Sequence, residues 1–314
     1  LIIFGQGAIR CHPFVLKEMQ AAQDPDYDKG LHEFDQLLFT HVGNTTSNAA
    51  RSFFLALTHA KLSDTPIEGS TERYYQHINR YSAAFALAAD TAMLVLGGNL
   101  KRCESLSARL GDVFSAIYLA SLVLKHYEDQ GRPDADLPLV EWSCRTLLYH
   151  AQEQLHGLLR NFPNRLVAVL LRLCVFPRGR TYFAPSDELG KKLVQLITYP
   201  TAARDRLCAG IYKTPGPENQ LGQLQKALEM AEQVTPLEHQ IRDAEKAGVI
   251  TADHPLDKIN QAEQNGILTK EEANQLRIYD SKVMDLIAVD EFDDSEFGKK
   301  TAAKSDAGKA SRAN

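Results

Sequence analysis

The chain has 314 residues, enough for one large or two ordinary domains, and its 44% hydrophobic fraction supports a sizeable core. A formal net charge of −5 and a pI near 6.1 give no overall argument for nucleic-acid binding, so no nucleic-acid partner is expected. The cysteines are odd in number and contain no C-x-x-C, which favours reduced, mostly buried thiols: Cys11, Cys103, Cys144, Cys174 and Cys208.

The N-terminal segment, LIIFGQGAIRCHPFVLKEM, begins with an apolar run that resembles the interior of a helix. It lacks a basic n-region and a small-residue cleavage site, so we expect no signal peptide. GQGAIR has Arg10 where a dinucleotide-binding G-x-G-x-x-G motif requires a third glycine. Its two glycines are therefore interpreted as close-packing positions at the end of a helix.

Hydrophobic periodicity predicts a long helix after Thr71. Ser70 or Thr71 is its predicted N-cap, and Gly97-Gly98 is its predicted end. Its apolar residues recur every three or four positions, the spacing that lines one helix face: Tyr74, Ile78, Tyr81, Phe85, Ala88 and Ala92.

Three further long helices are predicted around it. Residues 31–61 are predicted to be helical, with a bend or an interruption at Gly43-Asn44-Thr45-Thr46 left open. Residues 100–130 and 138–162 form the other two segments, and Gly131 closes the first of them. Long helices joined by short Gly/Pro breaks predict a bundle of antiparallel neighbours.

Beyond Pro163 the predicted helices are shorter: RLVAVLLRLCV, SDELGKKLVQLI, TAARDRLCAGI, NQLGQLQKALEMAEQV and PLEHQIRDAEKAG. Apolar and polar residues never alternate at period two for six residues, so the predicted fold class is all-α, a multi-helix bundle. After about Phe292 small and charged residues dominate, which predicts a disordered tail over residues 291–314.

Residues 244–251, AEKAGVIT, are echoed by residues 262–269, AEQNGILT. Each copy is interpreted as a helix end with a C-cap glycine, a buried aliphatic pair and a threonine N-cap for the next helix. Glu272 adds a predicted capping box to the second copy. The echo concerns helix connection rather than chemistry.

Motifs for catalysis are incomplete. Glu153 and His156 match the Glu-x-x-His unit of di-iron bundles, but such sites need a second copy and none stands among the ten histidines. His156 is therefore interpreted as a helix-surface histidine, and a di-iron oxidase is kept as a third hypothesis. The sequence also lacks H-E-x-x-H, G-x-S-x-G and G-x-x-x-x-G-K-[ST], which zinc proteases, α/β-hydrolases and P-loop proteins require.

Asp90 interrupts the apolar string AAFALAADTAML, where a buried carboxylate is costly unless it is paired. A structural ion pair with Arg80, Arg102 or Arg109 is the favoured interpretation, with a catalytic base as the alternative. Arg109 and Asp112 are predicted to brace neighbouring helices. No stretch reaches the roughly 18 consecutive apolar residues of a membrane span, so the chain is expected to be soluble or peripheral.

The cationic turn FPRGRTYF places Arg178 and Arg180 beside three aromatic residues. A helix-ending loop with exposed arginines is the favoured interpretation. Contact of these arginines with coenzyme A, with lipid or only with solvent is left open.

Several long strings resemble, in the same order, the long FadE-type bacterial acyl-coenzyme A dehydrogenases. These strings are FGQGAIRCHPFVLKEM, YSAAFALAADTAMLVLGGNLKRCESL, CVFPRGRTYFAPSDELGKKLVQLI and LEHQIRDAEKAGVI, and the resemblance covers roughly residues 1–290. It implies an FAD flavoprotein that acts on fatty acyl-CoA, with an electron-transferring flavoprotein as oxidant, in a homodimer. It also implies a cytoplasmic enzyme, with peripheral contact to the inner membrane left open.

The resemblance assigns residues 1–20 to the last helix of the catalytic core and its junction, 21–290 to a helical C-terminal domain and 291–314 to the tail. In the family, a glutamate in a Glu-Gly motif before LIIFGQGAIR removes the α-proton while flavin N5 accepts the β-hydride. No Glu-Gly motif precedes LIIFGQGAIR in this sequence and the β domain is missing from it, so no catalytic, cofactor-binding or metal residue is assigned.

We therefore expect a dehydrogenase fragment that is inactive alone, with LIIF poorly packed for want of its partners. A stand-alone helical interaction module or membrane-peripheral scaffold is the alternative. An upstream reading frame that encodes a Glu-Gly motif would favour the dehydrogenase, whereas a stop codon there would favour the scaffold.

Overall fold

The computed structural model describes residues 12–214 and 219–288, together with Gly7 and Gly216. The predictions for LIIF, for most of GQGAIR and for the C-terminal tail lie outside these residues. Within them the chain forms eleven α-helices and no β-strand, which confirms the all-α fold class. The chain divides into two compact units, Leu1–Gln195 and Leu196–Asn314.

The first unit contains six α-helices and most of a seventh, α7, which crosses the boundary between the units. They are α1 (Val15–Ala21), α2 (Tyr27–Leu57), α3 (Glu72–Leu96), α4 (Glu104–Asp129), α5 (Leu137–Arg160), α6 (Arg165–Val175) and α7 (Asp187–Thr198). Two short 3₁₀-helices, Gly97–Lys101 and Asp134–Asp136, connect α3 to α4 and α4 to α5.

Helices α2 to α5 form the predicted bundle, in which each helix packs against the next, and α6 packs against α2, α3 and α5. The pair α4 and α5 is antiparallel, because Arg109 near the start of α4 lies against Gly157 near the end of α5. The inward positions of these two helices recur at helical spacing and are fully buried: Leu110, Val113, Leu124, Leu148, Ala151, Leu155 and Leu158. This core holds the polar residues described below in fixed positions.

The predicted boundaries of α3 are confirmed. Thr71 is the N-cap residue, although its side chain makes no capping hydrogen bond, and Gly97 is the C-cap with a left-handed φ of +49°. On the predicted apolar face Tyr74, Tyr81, Ala88 and Ala92 are buried, whereas Ile78 and Phe85 are only partly buried.

Helix α2 continues through the segment Gly43–Thr46 without a break. The Thr46 hydroxyl donates to the carbonyl of Val42, one turn earlier in the same helix, and the Thr45 hydroxyl lies 3.0 Å from the carbonyl of His41. The Thr45 hydroxyl has its acceptor on α3, as described below. Both hydroxyls are therefore satisfied while the backbone stays helical, so the polar segment does not interrupt the helix.

Two segments, Glu72–Lys101 and Glu104–Asp129, are long and apolar enough to cross a bilayer when mean hydropathy is the criterion, although neither is an uninterrupted apolar run. They are α3 and α4, which supply much of the core of the first unit. A core helix meets the same criterion of length and composition. Within the unit 44% and 39% of the two windows are buried, so packing accounts for part of their apolar character.

The second unit contains α8 (Ala202–Leu207), α9 (Gln220–Lys246), α10 (Pro255–Gln264) and α11 (Lys270–Ile287). Its core lies among α9, α10 and α11 and consists of aliphatic residues: Val234, Leu237, Ile241, Ile250, Ile259, Ala262, Leu268, Ala273 and Leu276.

The prediction that Pro236 separates two helices is wrong, because α9 runs through it. A proline inside a helix costs about 3 kcal/mol. The buried side chains of Val234, Leu237 and Ile241 lie on one face across this position, and burial of each contributes about 1.5–3 kcal/mol. Packing on both sides of the proline therefore offsets its cost.

The two echoed segments share a C-terminal geometry. Gly248 and Gly266 both adopt a left-handed φ, of +73° and +70°. The next residue in each, Val249 and Ile267, donates its N–H to a carbonyl five residues back at 2.9 Å, which is a Schellman motif. The predicted C-cap glycines are confirmed.

The remaining predictions for the echo are confirmed only in part. Thr269 and Glu272 form the predicted capping box of α11. Thr251 does not cap α10, whose N-cap is His254, because Pro255 takes the first helical position. Only one residue of the aliphatic pair is buried in each copy: Ile250 beside exposed Val249, and Leu268 beside partly buried Ile267.

The four described cysteines are free, but the prediction of mostly buried thiols is wrong. Cys144 is buried, and burial raises its pKa to about 12. Cys103, Cys174 and Cys208 are half-buried.

Candidate functional site

Asp90 is buried, as predicted, but its partners are not arginines. His41 of α2 places Nε2 at 2.7 Å from Asp90 Oδ1, and the Thr45 hydroxyl donates to Oδ2. The prediction of an arginine partner is wrong because Asp90 faces α2. Arg109 lies instead against Gly157 of α5, so Arg109 braces two helices as predicted.

His41 is buried between two carboxylates. Its Nδ1 lies 2.8 Å from Glu18 Oε1 of α1, while its Nε2 faces Asp90. Only the protonated imidazolium donates from both nitrogens at once. Burial lowers the pKa of His41, but its hydrogen bonds to Asp90 and Glu18 outweigh burial, so the pKa is raised above its ordinary value. The three side chains tie α1, α2 and α3 together.

His12 completes this acid–histidine cluster of His12, Glu18, His41, Thr45 and Asp90. Its Nδ1 accepts the backbone N–H groups of Phe14 and Val15, at 3.2 and 3.1 Å, at the start of α1. The ring proton is therefore on Nε2, which faces Asp90 Oδ1 at 3.5 Å.

His12, His41 and Asp90 bring three potential metal-ligand atoms within 4.8 Å of one another. A histidine nitrogen ligates a metal through a free lone pair. In this arrangement the nitrogens that face Asp90 carry protons. The geometry therefore supports a hydrogen-bonded cluster that fixes three helices rather than a metal centre, and both Asp90 oxygens are already engaged.

A second polar centre forms where the turn after α6 returns to α5. Gln152 of α5 is 1% exposed, and its Oε1 accepts the backbone N–H groups of Thr181 and Tyr182 at 3.1 and 2.9 Å. Its Nε2 donates to the Tyr182 carbonyl at 2.9 Å. One buried side chain therefore fixes residues 181–182 against the bundle.

Sequence reasoning did not single out Gln152. The signal was present, because Gln152 lies within the apolar face of α5 between Leu148 and Leu155, both fully buried. A buried amide needs several hydrogen-bond partners, and backbone groups of a nearby loop supply them here.

Arg178 and Arg180 are both exposed, as predicted. Arg180 Nη1 donates to Glu153 Oε2 at 2.8 Å, so one member of the Glu-x-x-His pair is occupied by an ion pair. The ring of His156, the other member, lies edge-on to Phe176 with centroids 6.4 Å apart. The pair is thus engaged in packing the turn.

A pocket of about 390 Å³ lies between α3, α5 and this turn. Arg145 Nε donates to the Tyr74 hydroxyl at 3.4 Å, and Arg73 Nη2 donates to the His59 carbonyl at 3.0 Å. The pocket is lined by two arginines, one acid, four aromatic rings and two hydroxyl residues: Arg73, Arg145, Glu141, Tyr74, His77, Tyr182, Phe183, Ser70 and Thr181. We call it the arginine pocket.

Comparison with known families assigns the chain. The model of the C-terminal region of bacterial-type acyl-CoA dehydrogenases matches residues 9–292. The chain belongs to this family. Both polar centres lie within residues 9–292, the part of this chain that matches the family. No solved structure matches the chain.

The family is generally FAD-dependent. FAD joins two ring systems through a pyrophosphate and needs a long, largely apolar cleft. The arginine pocket and a second pocket beside Arg102 reach only about 390 Å³ each, near the small end for ligand sites. Neither of these two pockets fits FAD.

Replacement of His41 by asparagine should destabilise the protein most at acidic pH. The folded state holds the His41 proton more tightly than the unfolded chain, because the folded pKa is raised. The stabilisation of the folded state by the His41 imidazolium is fully present below about pH 6.5 and is lost as the pH rises through the folded pKa. Below pH 6.5 we expect His41→Asn to lower the unfolding free energy by about 3 kcal/mol, since it removes the cation between buried Asp90 and half-buried Glu18.

Urea denaturation of the parent and His41→Asn between pH 5.5 and 9 measures this difference. His32→Asn is the matched control, because His32 is an exposed residue of the same helix, and it should cost less than about 0.5 kcal/mol throughout. A His41→Asn difference that stays constant or grows with pH would contradict the assigned imidazolium.

Proposed function

We propose that this chain is the helical C-terminal part of an FAD-dependent acyl-CoA dehydrogenase. The reaction is the oxidation of fatty acyl-CoA to trans-2-enoyl-CoA, the first step of fatty-acid β-oxidation. The observation that carries the proposal is the family match over residues 9–292. The polar centres support a structural role for this chain, because their carboxylates are bonded to histidines or arginines.

In this proposal the catalytic base and the flavin contacts belong to polypeptide that precedes the chain, and residues 1–20 join the two parts. The chain alone is inactive. The whole enzyme takes fatty acyl-CoA as substrate, passes electrons to an electron-transferring flavoprotein and forms a homodimer in the cytoplasm.

The test compares residues 1–314 with the product of the complete gene. We expect the complete product to bind FAD stoichiometrically and to reduce a dye when palmitoyl-CoA is added. Residues 1–314 alone should show neither property, because in this proposal the flavin contacts and the catalytic base lie outside them. Flavin absorbance after gel filtration measures binding, and dye bleaching measures activity.

Flavin retained by residues 1–314, or dye reduction by them, would contradict the inactive-fragment proposal. A complete gene product that neither binds flavin nor oxidises acyl-CoA would contradict the dehydrogenase proposal and favour the scaffold.

A second proposal concerns peripheral contact with an anionic membrane, and the surface of α6 favours it. Four apolar residues at helical spacing form an exposed stripe: Leu166, Val169, Leu170 and Leu173, which are 80%, 57%, 63% and 57% exposed. Residues 154–186 around this stripe contain five arginines and no aspartate or glutamate.

An apolar helix face bordered by arginines binds at the interface of a bilayer that contains anionic lipid. Each basic residue near such a surface contributes about 1 kcal/mol. The charge of this segment is complementary to an acidic lipid surface, and this complementarity selects a membrane as the partner of the stripe.

The double variant Leu166→Gln/Leu170→Gln should lose binding to vesicles that contain phosphatidylglycerol. Removal of two apolar side chains from the stripe weakens insertion while the arginines remain. Vesicle flotation of residues 1–314 measures bound protein, and we expect about a ten-fold or larger decrease. The control is Leu119→Gln/Leu122→Gln, a pair of exposed leucines on α4.

Equal loss of binding in both double variants, or no flotation of the parent chain, would contradict membrane contact through α6. Retained flotation by the α6 variant would assign the contact to another surface.

A further inference from the structure

The first unit buries a positive charge that no described carboxylate neutralises. Arg80 of α3 is 2% exposed. Its Nη1 donates to Thr181 Oγ1 at 3.2 Å, and its Nε has no hydrogen-bond partner among the described residues. The guanidinium lies 5.3 Å from the centroid of the Tyr81 ring, a cation–π contact. An ion buried in this way normally requires an opposite charge.

The side chains around Arg80 are also cationic or basic. Burial first, and then the nearby charges of Arg73 and Arg80, lower the pKa of His77 to about 3. Burial also lowers the pKa of His59, with additional effects from Arg80, Arg178 and Arg73. Carboxylates do not contribute to either shift. The positive charges of α3 and of the turn therefore accumulate at one place.

The positive charges near His77 keep its ring neutral. Its Nε2 lies 3.2 Å from Arg73 Nη2 and accepts from it, so the ring proton is on Nδ1. Nδ1 is buried and has no hydrogen-bond partner within the described part of the chain. His77 lines the arginine pocket, where Thr181 also connects the pocket wall to Arg80.

The arginine pocket has donors available for an anion. Among the described residues Arg145 makes one hydrogen bond, from Nε to Tyr74, so both terminal nitrogens of its guanidinium can donate to a ligand. The Ser70 hydroxyl lies in the same wall. Glu141, one turn before Arg145, is the carboxylate of the lining, and Arg73 and Arg145 together outweigh its charge.

We propose that the arginine pocket binds a phosphomonoester. A phosphoryl dianion offers several acceptor oxygens that match the planar fork of Arg145, and it would neutralise the charge that Arg73 and Arg80 leave uncompensated. Tyr182 and Phe183, whose ring is 79% exposed, form an aromatic wall for the organic part of the ligand. This site is separate from the proposed dehydrogenase chemistry and does not depend on it.

The size of the pocket limits the ligand. A volume of about 390 Å³ lies at the small end of ligand sites, so it suits a phosphate ester no larger than a mononucleotide. Two sources share this chemistry, a free phosphate ester and the headgroup of a phosphomonoester lipid such as phosphatidic acid.

Isothermal titration calorimetry of residues 1–314 tests the proposal with inorganic phosphate, adenosine 3′-monophosphate and adenosine. We expect the monophosphate to bind, inorganic phosphate to bind more weakly and compete with it, and adenosine not to bind. Arg145→Gln should weaken monophosphate binding about ten-fold or more, because it removes a charge-assisted pair. Arg145→Lys should give an intermediate loss, since lysine keeps the charge without the fork.

Arg160→Gln is the matched control, because Arg160 is an exposed arginine at the end of the same helix and lies outside the pocket. It should bind as the parent does. Far-UV circular dichroism and melting curves show whether each variant is folded, and the lysine variant keeps the test valid if Arg145→Gln unfolds.

Flotation with phosphatidic acid vesicles, compared with phosphatidylglycerol vesicles that carry only phosphodiesters, distinguishes the sources. Binding to phosphatidic acid that requires Arg145 would identify a lipid headgroup, and binding of the soluble ester alone would identify a free metabolite. The proposal is overturned if no phosphomonoester binds at millimolar concentration, or if Arg145→Gln binds as the parent does.

Discussion

The geometry of the arginine pocket depends on the buried guanidinium of Arg80. It is held within the bundle by Thr181 and by the face of Tyr81, and the described residues give it no acid. An uncompensated ion of this kind costs several kcal/mol, so it persists only in a rigid surrounding structure. That rigidity comes from the core of α3, α4 and α5 and from Gln152, which fixes the turn that carries Thr181.

The two polar centres of the first unit differ in how their buried positive charge is compensated. In the acid–histidine cluster the His41 imidazolium is paired with two carboxylates, Glu18 and Asp90, so its positive charge is compensated and the cluster joins three helices. The positive charge of Arg80 has no carboxylate partner among the described residues, and Thr181, which accepts its hydrogen bond, lines the arginine pocket. The compensated charge supports the fold, whereas the uncompensated one is suited to a ligand. A dehydrogenase family member thus carries a candidate binding site within its C-terminal region.

The sequence predicts local structure well and pairings across helices poorly. The spacing of apolar residues and the position of Gly97 define α3, because both act within one helix. The partner of Asp90 was mispredicted because His41 lies 49 residues away on another helix, and only packing brings them together. The sequence predicts that Pro236 ends a helix, because the energetic cost of proline inside a helix is a local property. The packing that compensates this cost cannot be inferred from the sequence. Family membership, by contrast, was predicted from ordered strings that matched directly.

The charge state of His77 tests the account most directly. Its pKa of about 3 follows from burial among cationic groups, so the ring should be neutral at every pH from 5 to 8. A titration followed by carbon-edited NMR of the histidine rings, with and without saturating adenosine 3′-monophosphate, measures this value. The account predicts that the ligand raises the pKa of His77, because an anion replaces an uncompensated positive field. A pKa near 6.5 without ligand, or one that the ligand leaves unchanged, would contradict it.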